Sequence, residues 1–105
     1  MRQFDVFRNP GRSARDIPYL VVVQSSAHRH WAQRVVVPLV LTSPALILEK
    51  RVQPVLRVEG KDVFLNALDI TNIPSGALRD HVTNLSDQAE AIIAAIDEVI
   101  TRAYD

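Results

Sequence analysis

The sequence predicts a mainly β fold with a single C-terminal α-helix, a small barrel or sandwich. Three observations carry this. Short β-branched runs recur between Pro-, Gly- and polar-rich turns; Glu59-Gly60-Lys61 is a hairpin signal; and helical periodicity occurs in one stretch only, after residue 86. Strands do not alternate with helices, which excludes a parallel βαβ arrangement.

Taken in order, QFDVF (3–7) alternates Phe4 and Val6 against Gln3 and Asp5, the mark of a strand with one buried face. The Arg-rich RNPGRSARD (8–16) holds Pro10 and Gly11 and predicts an exposed loop. YLVVVQSS (19–26) is β-branched and nearly all apolar, as in a strand buried on both faces or lying in a barrel wall. AHRHWAQ (27–33) is a polar connection, and RVVVPLV (34–40) a further strand whose Pro38 suits a bulge or an edge. LTSPALILEKRVQ (41–53), interrupted by Pro44 and Glu49-Lys50-Arg51, predicts an irregular crossing. PVLRV (54–58) and DVFLNAL (62–68) flank the turn, where Gly60 supplies a positive φ. DITNIP (69–74) gives a short last strand, for five or six strands in all.

The helix is capped by Ser86 or by Asp87, and Asp87 would place Glu90 at the capping-box position. Ala89, Ile92, Ile93, Ile96, Val99, Ile100 and Ala103 form its apolar stripe. Burial of Ile92, Ile93, Ile96 and Ile100 is expected to contribute about 6–12 kcal/mol of gross transfer energy.

A length of 105 residues predicts one domain, and 48% hydrophobic residues supply a core without staples. The absence of cysteine excludes disulfides, thiol catalysis and Cys-based zinc sites, and fits a reducing cytoplasm. No membrane span or secretory leader is apparent in the sequence. Net charge is zero but uneven. Residues 1–58 hold nine Lys/Arg and three Asp/Glu, or +6, and residues 59–105 hold three and nine, or −6. Such asymmetry marks a basic face only if folding does not interleave the halves.

Catalytic signals are thin. No nucleophile elbow or phosphate-cradling glycine loop is present, and no cofactor is called for. His28 and His30 would need a third ligand to hold a metal, and none is assigned. His28-Arg29-His30-Trp31 with Arg34 mixes cations with a stacking aromatic, as single-stranded RNA sites do; solvated charges around a packed Trp31 are the simpler account. Asp97 and Glu98, adjacent on a helix, point about 100° apart and do not converge on a substrate.

With these pieces placed, the chain resembles the CcdB family of toxins from type II toxin–antitoxin modules. The resemblance rests on an ordered set: QFDVF, LVVVQS followed by RVVVPL, Gln53-Pro54-Val55, Ile73-Pro74, and Leu85-Ser86 ahead of AIIAAID. It implies an SH3-like barrel that forms a homodimer, inhibits DNA gyrase by binding, and is not an enzyme. It also implies a CcdA-like antitoxin, with operator DNA bound only by the toxin–antitoxin complex. MazF-type endoribonucleases share the scaffold, but their N-terminal Arg-Gly-Asp pattern is missing here. RNA cleavage is therefore the alternative, together with a weakened or different target.

By the resemblance, gyrase is met at Asp97, Ile100, Thr101, Arg102 and Ala103 of the helix end and at Ala27 and His28 after the Gln-Ser strand. The family's Gly-Ile ending is Arg102-Ala103 here, followed by Tyr104 and Asp105, and its Ile-Ile pair is Ala27-His28. Two apolar anchors have thus lost their large side chains, which puts gyrase poisoning in doubt while leaving barrel and dimer intact. Arg8, Arg12 and Arg15 of the exposed loop are the residues expected to meet an acidic antitoxin tail.

Overall fold

Most of these runs do become strands, and the run expected over 34–40 becomes the long strand that ties the others together. The computed structural model describes residues 1–101. Strands β1 (Asp5–Arg8), β2 (Tyr19–Val22), β3 (Gln33–Leu41), β4 (Val55–Val58), β5 (Lys61–Leu65), β6 (Thr71–Pro74) and β7 (His81–Asn84) precede helix α1 (Ala89–Ile100). All pairings are antiparallel. The sheet runs β4-β5-β3-β2-β1-β7, with β6 beside β3. The result is a half-barrel with the helix against one face, the SH3-like arrangement of the expected fold class.

Strand β3 pairs β2 on one side and, on the other, first β6 (Gln33 to Val36) and then β5 (Leu39 to Leu41). Pro38 sits where the partner changes. Its carbonyl accepts from Asn66 N at 3.0 Å, and its missing N–H falls at the break between the two partner strands, so no ladder bond is lost. The proline expected at an edge or bulge is thus at a junction in the middle of the sheet.

Strand β2 ends earlier than its composition suggests because side chains replace the backbone ladder. Val23 N still reaches Val35 O at 3.0 Å, but Val35 N is taken by Gln24 Oε1 at 3.1 Å. Near the start of the chain Phe4 adopts φ 71°, a left-handed kink that starts β1 two residues later than expected, at Asp5. Phe4 and Val6 are buried as the alternation requires, yet Asp5 is buried too, against that expectation. It faces β7, which the sequence did not reveal: HVTN has one apolar residue and no period.

The main core joins Val6, Tyr19, Val21, Val37, Leu39, Val58 and Leu65 to Ile92 and Ala95 of α1. A second apolar cluster, Phe7, Leu20, Val22, Val36 and Leu78, covers the opposite face, so β2 is buried on both sides. At the β4–β5 hairpin Glu59 (φ 53°) and Gly60 (φ 75°) are both left-handed, the two-residue turn whose twist matches the strands.

The helix corrects two expectations. A 3-10 turn, Ser86–Gln88, leads into Ala89 with no side-chain cap, so the Asp87–Glu90 box does not form. The broad stripe is also only half used. Ile92 and Ala95 are fully buried, whereas Ile93 and Ile100 are 54% and 60% exposed. One sheet face covers a narrower arc of helix than the stripe spans.

Candidate functional site

The uncovered part of the helix stripe forms one wall of a shallow depression of about 280 Å³. Ile93, Ile96, Asp97, Ile100 and Thr101 line it from the helix, and Gln3 and Val23 from the sheet end. Thr101 N bonds Asp97 O at 2.8 Å, which carries helical geometry to the rim.

Gln3 links this wall to the loop after β2. Its backbone N–H donates to Ser26 Oγ at 3.1 Å and its side chain to Val23 O at 3.0 Å. Ala27 and His28, both exposed, lie in the adjoining 3-10 turn Ser26–His28. The turn is capped by Ser25, whose hydroxyl accepts from Ala27 N. Two segments far apart in sequence, 26–28 and 97–101, thus flank the same residue. Arg102 and Ala103 lie outside the described residues.

Beyond His28 the loop is held from beneath by Arg34. This residue is 8% exposed, and its guanidinium donates to the carbonyls of Arg29, Trp31 and Gln33. Arg34 is therefore committed to shaping the loop and does not project with the other cations to hold a phosphate. Trp31 does not pack on the barrel rim; it is 69% exposed. Among the described residues no three His, Asp or Glu side chains converge as a metal site.

The three loop arginines fare differently. Arg12 and Arg15 are exposed, while Arg8 is clamped between Glu59 (3.0 Å) and Asp80 (3.2 Å). Glu59 also accepts from the buried Tyr19 hydroxyl at 2.5 Å. The Tyr19 and Arg8 hydrogen bonds hold the Glu59 carboxyl below its ordinary range, and burial followed by the bond to Glu59 pushes the Tyr19 phenol up. The positive φ of Glu59 is thus held by its side chain.

The remaining charged centre is Asp5, which takes hydrogen bonds from Arg2 N (2.7 Å) and Asn84 Nδ2 (2.9 Å) and pairs with His81 Nε2 (3.1 Å). Burial alone would raise its carboxyl, but the bonds from Asn84, Arg2 and His81 together outweigh it and bring the pKa down. This cluster ties β1 to β7, two of whose four residues are His81 and Asn84.

Sequence reasoning missed Gln3, Val23, Gln24 and the buried role of Arg34. None of these has a periodic or motif signal, because each acts through a partner brought near by the sheet. The one cue was an arginine opening an apolar run.

Comparison with known proteins agrees with this architecture. No match is found among curated proteins. A solved structure described as an "Endoribonuclease in complex with its cognate antitoxin from Mycobacterial species" superposes with a TM-score of 0.72 at 20% identity. The match covers 96% of this chain and 95% of the other. At that identity the likeness speaks for the fold. The family described as "CcdB protein" matches residues 3–101, and with nearly the whole described chain inside that match, the protein belongs to the CcdB family, toxins of toxin–antitoxin modules.

Proposed function

We propose that this chain is a toxin that acts by binding rather than by chemistry, as a cytoplasmic homodimer directed at DNA gyrase and neutralised by a CcdA-like antitoxin. The observation that carries this reading is the apolar wall at the helix end. Ile93 and Ile100, both more than half exposed, stand beside half-buried Ile96 with no neighbour among the described residues to cover them. An uncovered aliphatic costs about 1.5–3 kcal/mol of the transfer energy that burial would give it, which favours a partner surface there.

The same wall suits pairing across a two-fold axis, since a patch that meets its own copy needs apolar complementarity. Two helix ends brought together would present a symmetric platform flanked by the two Ala27-His28 turns, fitting a symmetric topoisomerase. Arg12 and Arg15, exposed on a polar loop, are available to an acidic antitoxin tail; Arg8 would first have to leave Glu59 and Asp80. The altered anchors, Ala27-His28 and Arg102-Ala103, predict weaker or retargeted gyrase contact.

The test is a gyrase reaction with supercoiled DNA and ATP. Stabilised cleaved DNA, lost in Ile100→Glu with its circular dichroism unchanged, is the expected result. Neither binding nor cleavage at micromolar protein would remove gyrase as the target. Metal-independent cutting of single-stranded RNA by the purified protein would instead place it with the endoribonucleases.

A further inference from the structure

The loop after β2 carries a feature that the gyrase reading does not use. Residues 28–31 present His28, Arg29, His30 and Trp31, all exposed, on a backbone that is fastened at every few residues. Gln24 donates to His28 O at 2.8 Å while accepting from Val35 N. Ser25 caps the 3-10 turn, Gln3 holds Ser26, and Arg34 gathers the carbonyls of Arg29, Trp31 and Gln33. A large aromatic left in water on a mobile loop needs no explanation. One left in water on a stapled loop does, because the staples order the backbone without covering the ring.

The loop and the strand segment paired with it carry charge of one sign. Between Asp16 and Glu49 the sequence contains no acidic residue, and the segment that packs beside the loop, Ile70 to Arg79, contains none either. That neighbourhood is direct: Ser75 N donates to Ala32 O at 2.8 Å, and Arg34 pairs with Ile73. Arg34 is itself a buried cation satisfied by dipoles, and among the described residues no carboxylate pairs with it. Arg29 lies across the turn on Ser26 O at 3.0 Å, still exposed.

We propose that this loop is a binding site for single-stranded RNA, with Trp31 stacking on an unpaired base and Arg29 meeting the adjoining phosphate. An exposed aromatic two residues from an exposed arginine, in a loop without acids, matches a base followed by its phosphodiester. RNA is the occupant because unpaired bases are its ordinary state, whereas cellular DNA stacks its bases inside a duplex. Arg34 is withdrawn into the loop, so Arg29 is the guanidinium left to meet a phosphate. The assignment does not depend on gyrase being the target.

Trp31 is the only tryptophan in the chain, so its emission reports on this site alone. Titrating the purified protein at low salt with a short single-stranded RNA should quench that emission saturably. The logarithm of the affinity should fall against the logarithm of salt with a slope of about −0.7 for each phosphate neutralised. Arg29→Ala should remove about one such increment while leaving the quench at saturation. Trp31→Ala, at an exposed position that should not disturb folding, should weaken binding of labelled RNA roughly 5- to 150-fold. No quench at micromolar protein overturns the proposal, as does equal quenching by duplex, tighter binding of the matching DNA strand, or unchanged RNA affinity in Trp31→Ala. Quenching by gyrase protein with none by RNA would likewise overturn it and leave the gyrase reading standing.

Discussion

Asp5 carries a negative charge inside the sheet, and its surroundings decide whether that helps. Desolvation works against the ionised form, while Asn84, the Arg2 amide and His81 favour it and prevail. A carboxyl whose pKa is lower folded than unfolded contributes stability that is complete above the unfolded value of about 3.9. That contribution is lost as pH falls through the lower folded value. Asn84→Ala leaves a buried carboxylate short of a donor and should cost about 1–3 kcal/mol at pH 7, read from urea denaturation. The difference from the parent should shrink in strongly acidic solution, where Asp5 is protonated in both states. Glu59 follows the same sign, and its loss has a separate readout. In Glu59→Gln the Tyr19 hydroxyl no longer faces a negative charge, so its phenol should ionise at lower pH in an ultraviolet titration.

At the level of elements, the helix and the β4 edge make opposite use of exposure. Ile92 is fully buried, so Ile92→Ala should cost about 2–5 kcal/mol. Ile93→Ala should change the stability of the isolated subunit by no more than about 0.5 kcal/mol, because its side chain is already in water. Denaturation of the two variants at low protein concentration checks this directly, and equal losses would mean the helix docks differently. Strand β4 is an edge, but Gln88 stands in for a missing strand. Its carboxamide accepts from Arg57 N at 3.4 Å and donates to Arg57 O at 3.3 Å, beside a groove of about 520 Å³ running from Val55 to the start of α1. Gln88→Ala should bare that edge and raise light scattering on heating more than it lowers the midpoint.

For the whole molecule, the uncovered helix wall and the basic loop lie on either side of Gln3, and they predict different solution behaviour. If the wall is a two-fold contact, light scattering should give twice the subunit mass in the parent and the single mass in Ile93→Asp, with unchanged circular dichroism. Raising salt should leave that dimer in place, since apolar contact is not screened, while it weakens every interaction of the Arg29 loop. Restoring the family's ending through Arg102→Gly and Ala103→Ile should increase cleaved DNA in the gyrase assay if those positions set the weakness.

The hairpin, the paired Val-rich strands and the helix were legible in the sequence alone, because turn chemistry and periodicity act over a few residues. So was the family, through the order of its short runs. Of the candidate site, Ala27-His28 and Ile100-Thr101 came through that resemblance; that Gln3 joins them did not. Tertiary structure alone decided that HVTN forms a strand, since its pairing depends on Asp5 from the other end of the chain. It also decided which isoleucines remain in water and that Arg34 turns inward while Trp31 turns out. Each of these outcomes depends on which distant atoms fill the space beside a residue, and no local pattern encodes that.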